Sequence, residues 1–170
     1  LLSVPEWQDI SSNYKSPVAS QLSYLCNNFR PSSAGQLILW HGLPGTGKTY
    51  ALRALIRSWQ KWCSAEYIVD PDRFLTESSY LMSVLLGESI EVPLSSGGAI
   101  GKSGNGSAEL EWKLLIMEDT GELLQADARE KAGQALSRLL NTVDGFIGQG
   151  LRILVLITTN DEIKKLHPAV

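Results

Sequence analysis

Gly42-Leu43-Pro44-Gly45-Thr46-Gly47-Lys48-Thr49 fills every fixed position of the glycine-rich phosphate-binding pattern G-x-x-x-x-G-K-[ST]. The stretch before it, Gln36-Leu37-Ile38-Leu39-Trp40-His41, is a short apolar run suited to a buried strand. The stretch after it, from Thr49 to Trp62, has apolar residues at helical spacing. A strand, a glycine-rich bend and a helix, in that order, are what polyphosphate binding needs. Glycines let successive backbone N–H groups approach anionic oxygens, and the helix directs its positive dipole end at them. Within this pattern Lys48 is placed to reach the β and γ phosphates, and the Thr49 hydroxyl to help hold Mg²⁺. The whole run Gly42, Leu43, Pro44, Gly45, Thr46, Gly47, Lys48 and Thr49, with Tyr50 directly after it, is the expected nucleotide-binding segment.

The 170 residues are one domain's worth of chain, and 44% hydrophobic content is that of a globular protein with a substantial core. A net charge of -3, without a long Lys/Arg cluster, indicates neither nucleic acid nor a membrane as partner. No apolar stretch approaches the roughly 18 residues of a membrane helix, and the sequence shows no basic start followed by an apolar signal core. A cytoplasmic setting is expected. Cys26 and Cys63 lack the spacing of a metal site and lie in segments that read as helix, so packed, reduced thiols are expected. His41 and His167 have no companion ligands at usable spacing. The chain opens on Leu1 and stops at His167-Pro168-Ala169-Val170, which reads as the middle of an ordered segment, so a piece of a larger protein is expected.

Residues 1–35 read as a linker and helix preceding a core at 36–170. Ser3 to Ser16 is mixed and turn-rich, and Pro17 opens a helix whose apolar face is Val18, Leu22, Leu25, Cys26 and Phe29. After the helix from Lys48 to Trp62, a second strand fits Glu66 to Val69, closed by a turn at Asp70-Pro71-Asp72, and a second helix fits Ser78 to Leu86. Residues 87–108 are rich in Gly, Ser and Asn and are expected to form a flexible loop. Gly101-Lys102-Ser103 within it echoes the end of a second phosphate loop, but no apolar strand precedes it and no periodic helix follows. Trp112 to Met117 reads as a buried strand, Ala128 to Val143 as a helix, and Leu151 to Thr158 as another buried strand. Trp40, Trp59, Trp62 and Trp112 are expected to pack rather than stack on a base. The alternation implies an α/β fold, a three-layer αβα sandwich around a mostly parallel sheet.

Ligands of open parallel sheets sit beyond the carboxyl ends of the strands. Glu118 and Asp119 end one apolar strand there, where one carboxylate can hold Mg²⁺ and the other orient or deprotonate an attacking water. Asn160, after Thr158-Thr159, ends another and suits a hydrogen bond to that water or to the γ-phosphate.

Taken together, residues 42–49, the strand ending in two acids at 114–119, Leu139-Leu140-Asn141-Thr142-Val143-Asp144-Gly145, and Ile157-Thr158-Thr159-Asn160 with Leu166-His167-Pro168-Ala169 resemble an AAA+ ATPase core over about residues 6 to 170. The resemblance implies ATP and Mg²⁺ as cofactors, with Thr49, Glu118 and Asp119 at the metal. It puts Glu118 and Asp119 in the Walker B place and Asn160 in the sensor 1 place, and the Trp7-Gln8-Asp9-Ile10 stretch, through Asp9 and Ile10, beside the adenine base. It implies catalysis by Asp119, Glu118, Asn160 and Lys48, and conformational work on a protein or other macromolecular client by a homo-oligomeric ring such as a hexamer. Two departures stand out: the acids occur in the order Glu-Asp rather than the family's Asp-Glu, and Leu85-Leu86-Gly87-Glu88 holds no aromatic where translocating members carry a pore-loop aromatic. The chain also stops before the family's arginine finger, last core strand and helical lid. The rival readings are a nucleotide-dependent switch with little turnover and a small-molecule kinase, although the segment 87–108 lacks the arginines of a kinase lid.

Overall fold

A computed structural model describes residues 4–31, 36–86, 112–120 and 152–160, together with Asn141 and Gly145. Its centre is a sheet of four parallel strands, β1 (Gln36–His41), β2 (Cys63–Tyr67), β3 (Trp112–Met117) and β4 (Ile153–Thr159), in the order β1-β4-β3-β2. The apolar runs that make β3 and β4 have no polar alternation because both faces of the sheet are covered, as parallel crossovers require.

Side chains alternate between those faces with the period of two that a strand imposes. Leu115, Met117, Ile153, Val155 and Ile157 point to one side, where they meet Phe74, Leu75, Leu81, Val84 and Leu85 of α4 (Pro71–Thr76) and α5 (Ser78–Leu86). Leu114, Ile116, Leu154 and Leu156 point to the other, against Leu52, Leu55 and Trp59 of α3 (Lys48–Trp59). Behind α3 lie α2 (Ser16–Asn27), with Leu22 and Cys26 inward, and the short α1 (Trp7–Ile10), with Trp7 and Ile10 inward. The result is the three-layer αβα sandwich expected from the alternation of elements. Trp59 packs as expected: it is buried, lies between Phe29 and Trp62, and donates its indole N–H to the Leu25 carbonyl at 2.9 Å. Lys113, the charged exception in β3, is provided for by the Glu66 carboxylate at 3.2 Å and the Val84 carbonyl at 2.8 Å.

Several boundaries differ from the sequence reading. The turn-rich start contains α1 and a 3₁₀ turn at Ser11–Asn13, anchored by the Trp7 indole N–H donating to Ser23 Oγ at 2.8 Å. Val18 is exposed, because the apolar stripe of α2 narrows to residues that reach α3. The second strand begins at Cys63 and ends at Tyr67, because pairing starts at Cys63 opposite Trp112, so Cys63 belongs to a strand rather than a helix. Val69 lies beyond the sheet and is 90% exposed. Asp70-Pro71 begins α4 rather than a plain turn: Asp70 Oδ1 accepts the Arg73 N–H at 2.9 Å, and Pro71 opens the helix. Short acids and proline signal helix starts and turns alike, so local sequence does not separate the two. The expected loop at 87–108 and most of the expected helix at 128–143 lie outside the described residues.

The register of β4 sets up the functional edge. Thr159 pairs with His41 of β1, and Ile157 pairs with Met117 of β3. The residues that follow each strand, Gly42, Glu118 and Asn160, therefore emerge side by side.

Candidate functional site

The connection from β1 to α3 turns on two glycines in left-handed backbone conformations, Gly45 at φ 77° and Gly47 at φ 89°. Gly45 faces open space, so conformation alone requires glycine there. Gly47 is doubly constrained, because a Cβ would also stand 2.9 Å from the Tyr14 hydroxyl. Gly47→Ala is accordingly expected to destabilise the fold by about 1–2 kcal/mol, read as a lowered urea midpoint.

Inside the bend the Lys48 ammonium donates to the Gly42 carbonyl at 2.6 Å, the Leu43 carbonyl at 3.1 Å and Asn160 Oδ1 at 2.8 Å. All three of its N–H groups thus have acceptors, two from the loop and one from the end of β4. The Asn160 amide in turn donates to Asp119 Oδ1. On the other side of the same edge, the Thr49 hydroxyl donates to Glu118 Oε2 at 2.5 Å. The two neighbouring acids therefore face different partners, Glu118 toward the start of α3 and Asp119 toward Asn160.

Backbone geometry explains how adjacent residues diverge in this way. Asp119 has φ 56°, the left-handed region, where Asp is among the side chains tolerated best. Its N–H donates to Thr158 Oγ1 at 3.0 Å, and the N–H of Thr120 donates to the Thr158 carbonyl at 3.1 Å. Gly42 N–H donates to the Thr159 carbonyl at 3.2 Å. The end of β4 thus pins both the exit of β1 and the exit of β3, and a short acid occupies the position where the chain takes the left-handed turn.

Beside the loop lies a cavity of about 590 Å³, walled by Tyr14, Val18, Leu22 and Leu25 on one side and Leu39, Trp40 and His41 on the other, with Gly42, Gly45, Thr46 and Lys48 at its polar end. The volume suits a small-molecule ligand, and an apolar wall meeting a few convergent polar groups is the usual composition of such a site. Burial, only partly opposed by the Ala51 backbone N–H, pushes the Tyr14 phenol above its ordinary value. The Tyr67 phenol is raised as well, by burial and then by the negative charge of Glu118, with Arg53 opposing. Both phenols stay protonated at neutral pH.

Of the residues marked out by sequence, Lys48, Thr49, Glu118, Asp119 and Asn160 come together at one edge in two hydrogen-bonded groups, Lys48 with Asn160 and Asp119, and Thr49 with Glu118. Leu43 and Tyr50 are exposed on the outer side of the bend, and Pro44 is exposed with them. In the N-terminal segment, Asp9 accepts the Glu6 N–H at 3.3 Å in a capping box at the start of α1, and Ile10 is buried in the core. Neither lines the cavity, where Asn13, Tyr14 and Lys15 represent the N-terminal segment instead. Tyr14 went unread because nothing local marks it, its partner Gly47 lying 33 residues away.

Thr49 and Glu118 offer hard oxygen donors of the kind Mg²⁺ prefers, and among the described residues no group of three or more His, Cys, Asp or Glu gathers to hold a metal unaided. That fits a cation that keeps water and takes substrate phosphate oxygens rather than one held in a protein cage.

The sequence matches the ATPase family associated with various cellular activities (AAA) over residues 38–170. This chain belongs to the AAA family of ATPases. The AAA core also resembles solved structures: a chain of the E. coli MS115-1 HORMA:CdnC:Trip13 complex, at 16% identity and a TM-score of 0.53, over 96% of this chain and 62% of that one; and C. elegans PCH-2, at 20% identity and a TM-score of 0.45, over 96% of this chain and 39% of that one. The chain therefore spans about three fifths of the first and two fifths of the second. No curated protein matches the sequence at a significant level. Among the described residues no helix is long and apolar enough to cross a membrane.

Proposed function

We propose that this AAA core binds ATP on residues 42–49 and hydrolyses it, and that the phosphate state drives conformational work on a protein partner. The observation that carries the reading is the hydrogen-bonded group joining Lys48 to Asn160 and Asp119, next to Thr49 with Glu118. The backbone N–H groups of the bend and the Lys48 ammonium bind the phosphates, with Lys48 exchanging its loop carbonyls and Asn160 for phosphate oxygens. The cavity between α2 and β1 receives the base and ribose. Thr49 and Glu118 are the side chains that would hold Mg²⁺, which when bound would supply charge neutralisation for the phosphates. Asp119 and Asn160 orient a water in line with the γ-phosphorus. As the water oxygen bonds to phosphorus, its proton passes to Asp119 and the bond to the bridging β–γ oxygen breaks, leaving ADP and phosphate. Catalysis here is positioning and electrostatics in a preorganised site.

Residues 1–35 lead into the ATPase core at 36–170 in this reading, with 87–108 a loop of that core. The working assembly is a homo-oligomeric ring in a cytoplasmic setting. Likeness to a chain from a complex that holds HORMA and CdnC proteins with Trip13 supports a protein as client. A second reading, a nucleotide switch with little turnover, is favoured by the shorter acid at 119 and its engagement by Asn160. Phosphate release from ATP, assayed with and without Mg²⁺ alongside solution mass with and without ATP, separates the readings. Mg²⁺-dependent release with nucleotide-driven assembly is expected; tight binding without release favours the switch, and transfer to a metabolite favours a kinase.

A further inference from the structure

The first residues of the described chain are fastened to α2 and α3 at several points. Arg57 of α3 pairs with the Glu6 carboxylate at 2.6 Å and also bonds the Val4 carbonyl. The Trp7 indole is held by Ser23, and its ring lies 5.4 Å from that of Tyr14. These ties deliver the Tyr14 hydroxyl to the Gly47 carbonyl, to which it donates at 2.9 Å. That carbonyl is the first of α3, accepting the N–H groups of Tyr50 at 3.0 Å and Ala51 at 2.9 Å.

A trans peptide is planar, with its C=O and N–H pointing in opposite directions. Holding the Gly47 oxygen therefore also fixes the direction of the Lys48 N–H, which belongs to the same peptide unit and opens the cradle of the phosphate loop. The tyrosine ring blocks the other escape, because its Cε1 and Cζ stand 3.3 Å from where a Gly47 Cβ would be. A glycine at φ 89° has much backbone freedom to lose, so an outside constraint on it has more effect than on any other residue.

We propose that Tyr14 is a positioning residue for the phosphate loop: its hydroxyl, braced by the N-terminal segment, holds the Gly47–Lys48 peptide in the orientation that receives a polyphosphate. The inference rests on the nucleotide-binding reading given above. Because Tyr14 also lines the cavity next to the loop, this role has to be separated from one in gripping the base. A loop-positioning residue affects every ligand with the phosphate tail, whereas a base-gripping residue affects only ligands with a base.

The test titrates ATP and inorganic triphosphate into the wild type, Tyr14→Phe and Arg57→Ala, with urea midpoints measured in parallel. Tyr14→Phe is expected to weaken both ligands by the same factor, about three- to tenfold, as for loss of one neutral hydrogen bond. Arg57→Ala, which loosens the brace but keeps the Tyr14 hydroxyl and its acceptor, is expected to weaken both ligands equally and by a smaller factor than Tyr14→Phe. The proposal is overturned if Tyr14→Phe binds both ligands like the wild type or loses ATP alone, or if Arg57→Ala weakens the ligands more than Tyr14→Phe does. A wild type that binds neither ligand contradicts the nucleotide-binding reading itself, an outcome distinct from each of these.

Discussion

Lys48→Ala is expected to lower ATP affinity by at least about a hundredfold and to reduce phosphate release to background. The magnitude follows from losing two or more charge-assisted hydrogen bonds, each contributing about 1.5–3 kcal/mol. The fold is expected to survive, because the partners left behind, the Gly42 and Leu43 carbonyls and Asn160, lie at an edge that water can reach. Equilibrium dialysis with labelled ATP, together with a urea midpoint close to that of the wild type, checks both parts. Unaltered binding would remove Lys48 from the site.

Asp119→Asn is expected to show the opposite profile, with ATP affinity near the wild-type value and turnover lowered by about a hundred- to a thousandfold. The substitution keeps the size of the side chain and its tolerance of the left-handed backbone, but it removes the acceptor for the proton of water. Glu118→Gln, in contrast, should chiefly raise the Mg²⁺ concentration needed for activity, because Glu118 faces Thr49 and not Asn160. The pair of variants asks whether the order Glu-Asp preserves or exchanges the two roles. Single-turnover rates at saturating Mg²⁺ decide it: if Glu118→Gln loses the chemical step while Asp119→Asn keeps it, the acids have traded places.

The parts of the molecule legible in sequence are those written in local pattern. The bend at 42–49 was legible because left-handed glycines and a following lysine and threonine leave few other readings. The strands β3 and β4 were legible because a sheet buried on both faces needs unbroken apolar runs, and α5 matched its helical spacing from Ser78 to Leu86. What local pattern missed depends on contacts made across the chain. The placement of Tyr14 against Gly47 needs α1, α2 and α3 already packed. The start of β2 at Cys63 is set by its pairing with Trp112. The divergence of Glu118 and Asp119 toward different partners turns on one backbone angle and on Thr158, which belongs to another strand. Adenine contact by Asp9 and Ile10 rested on resemblance alone, and those side chains are taken up by a capping box and by the core.

The site also shows how binding at the loop can be felt elsewhere in the fold. Lys48 touches Asn160, Asn160 touches Asp119, and Thr158 supports the backbone of Asp119 and Thr120. In the proposed reading, an arriving phosphate that draws Lys48 away from Asn160 would change the ends of β3 and β4 together. That is the physical basis on which the proposed work on a protein partner depends, since a ligand shifts a conformational equilibrium only by contacting its states differently.

Calorimetric titration of the protein with Mg²⁺-ATP, run beside the same titration of Lys48→Ala, tests most directly whether residues 42–49 enclose a nucleotide's phosphates. Saturable heat with one site per chain in the wild type and none in the variant is the predicted result; no heat in either, or equal heat in both, would contradict it.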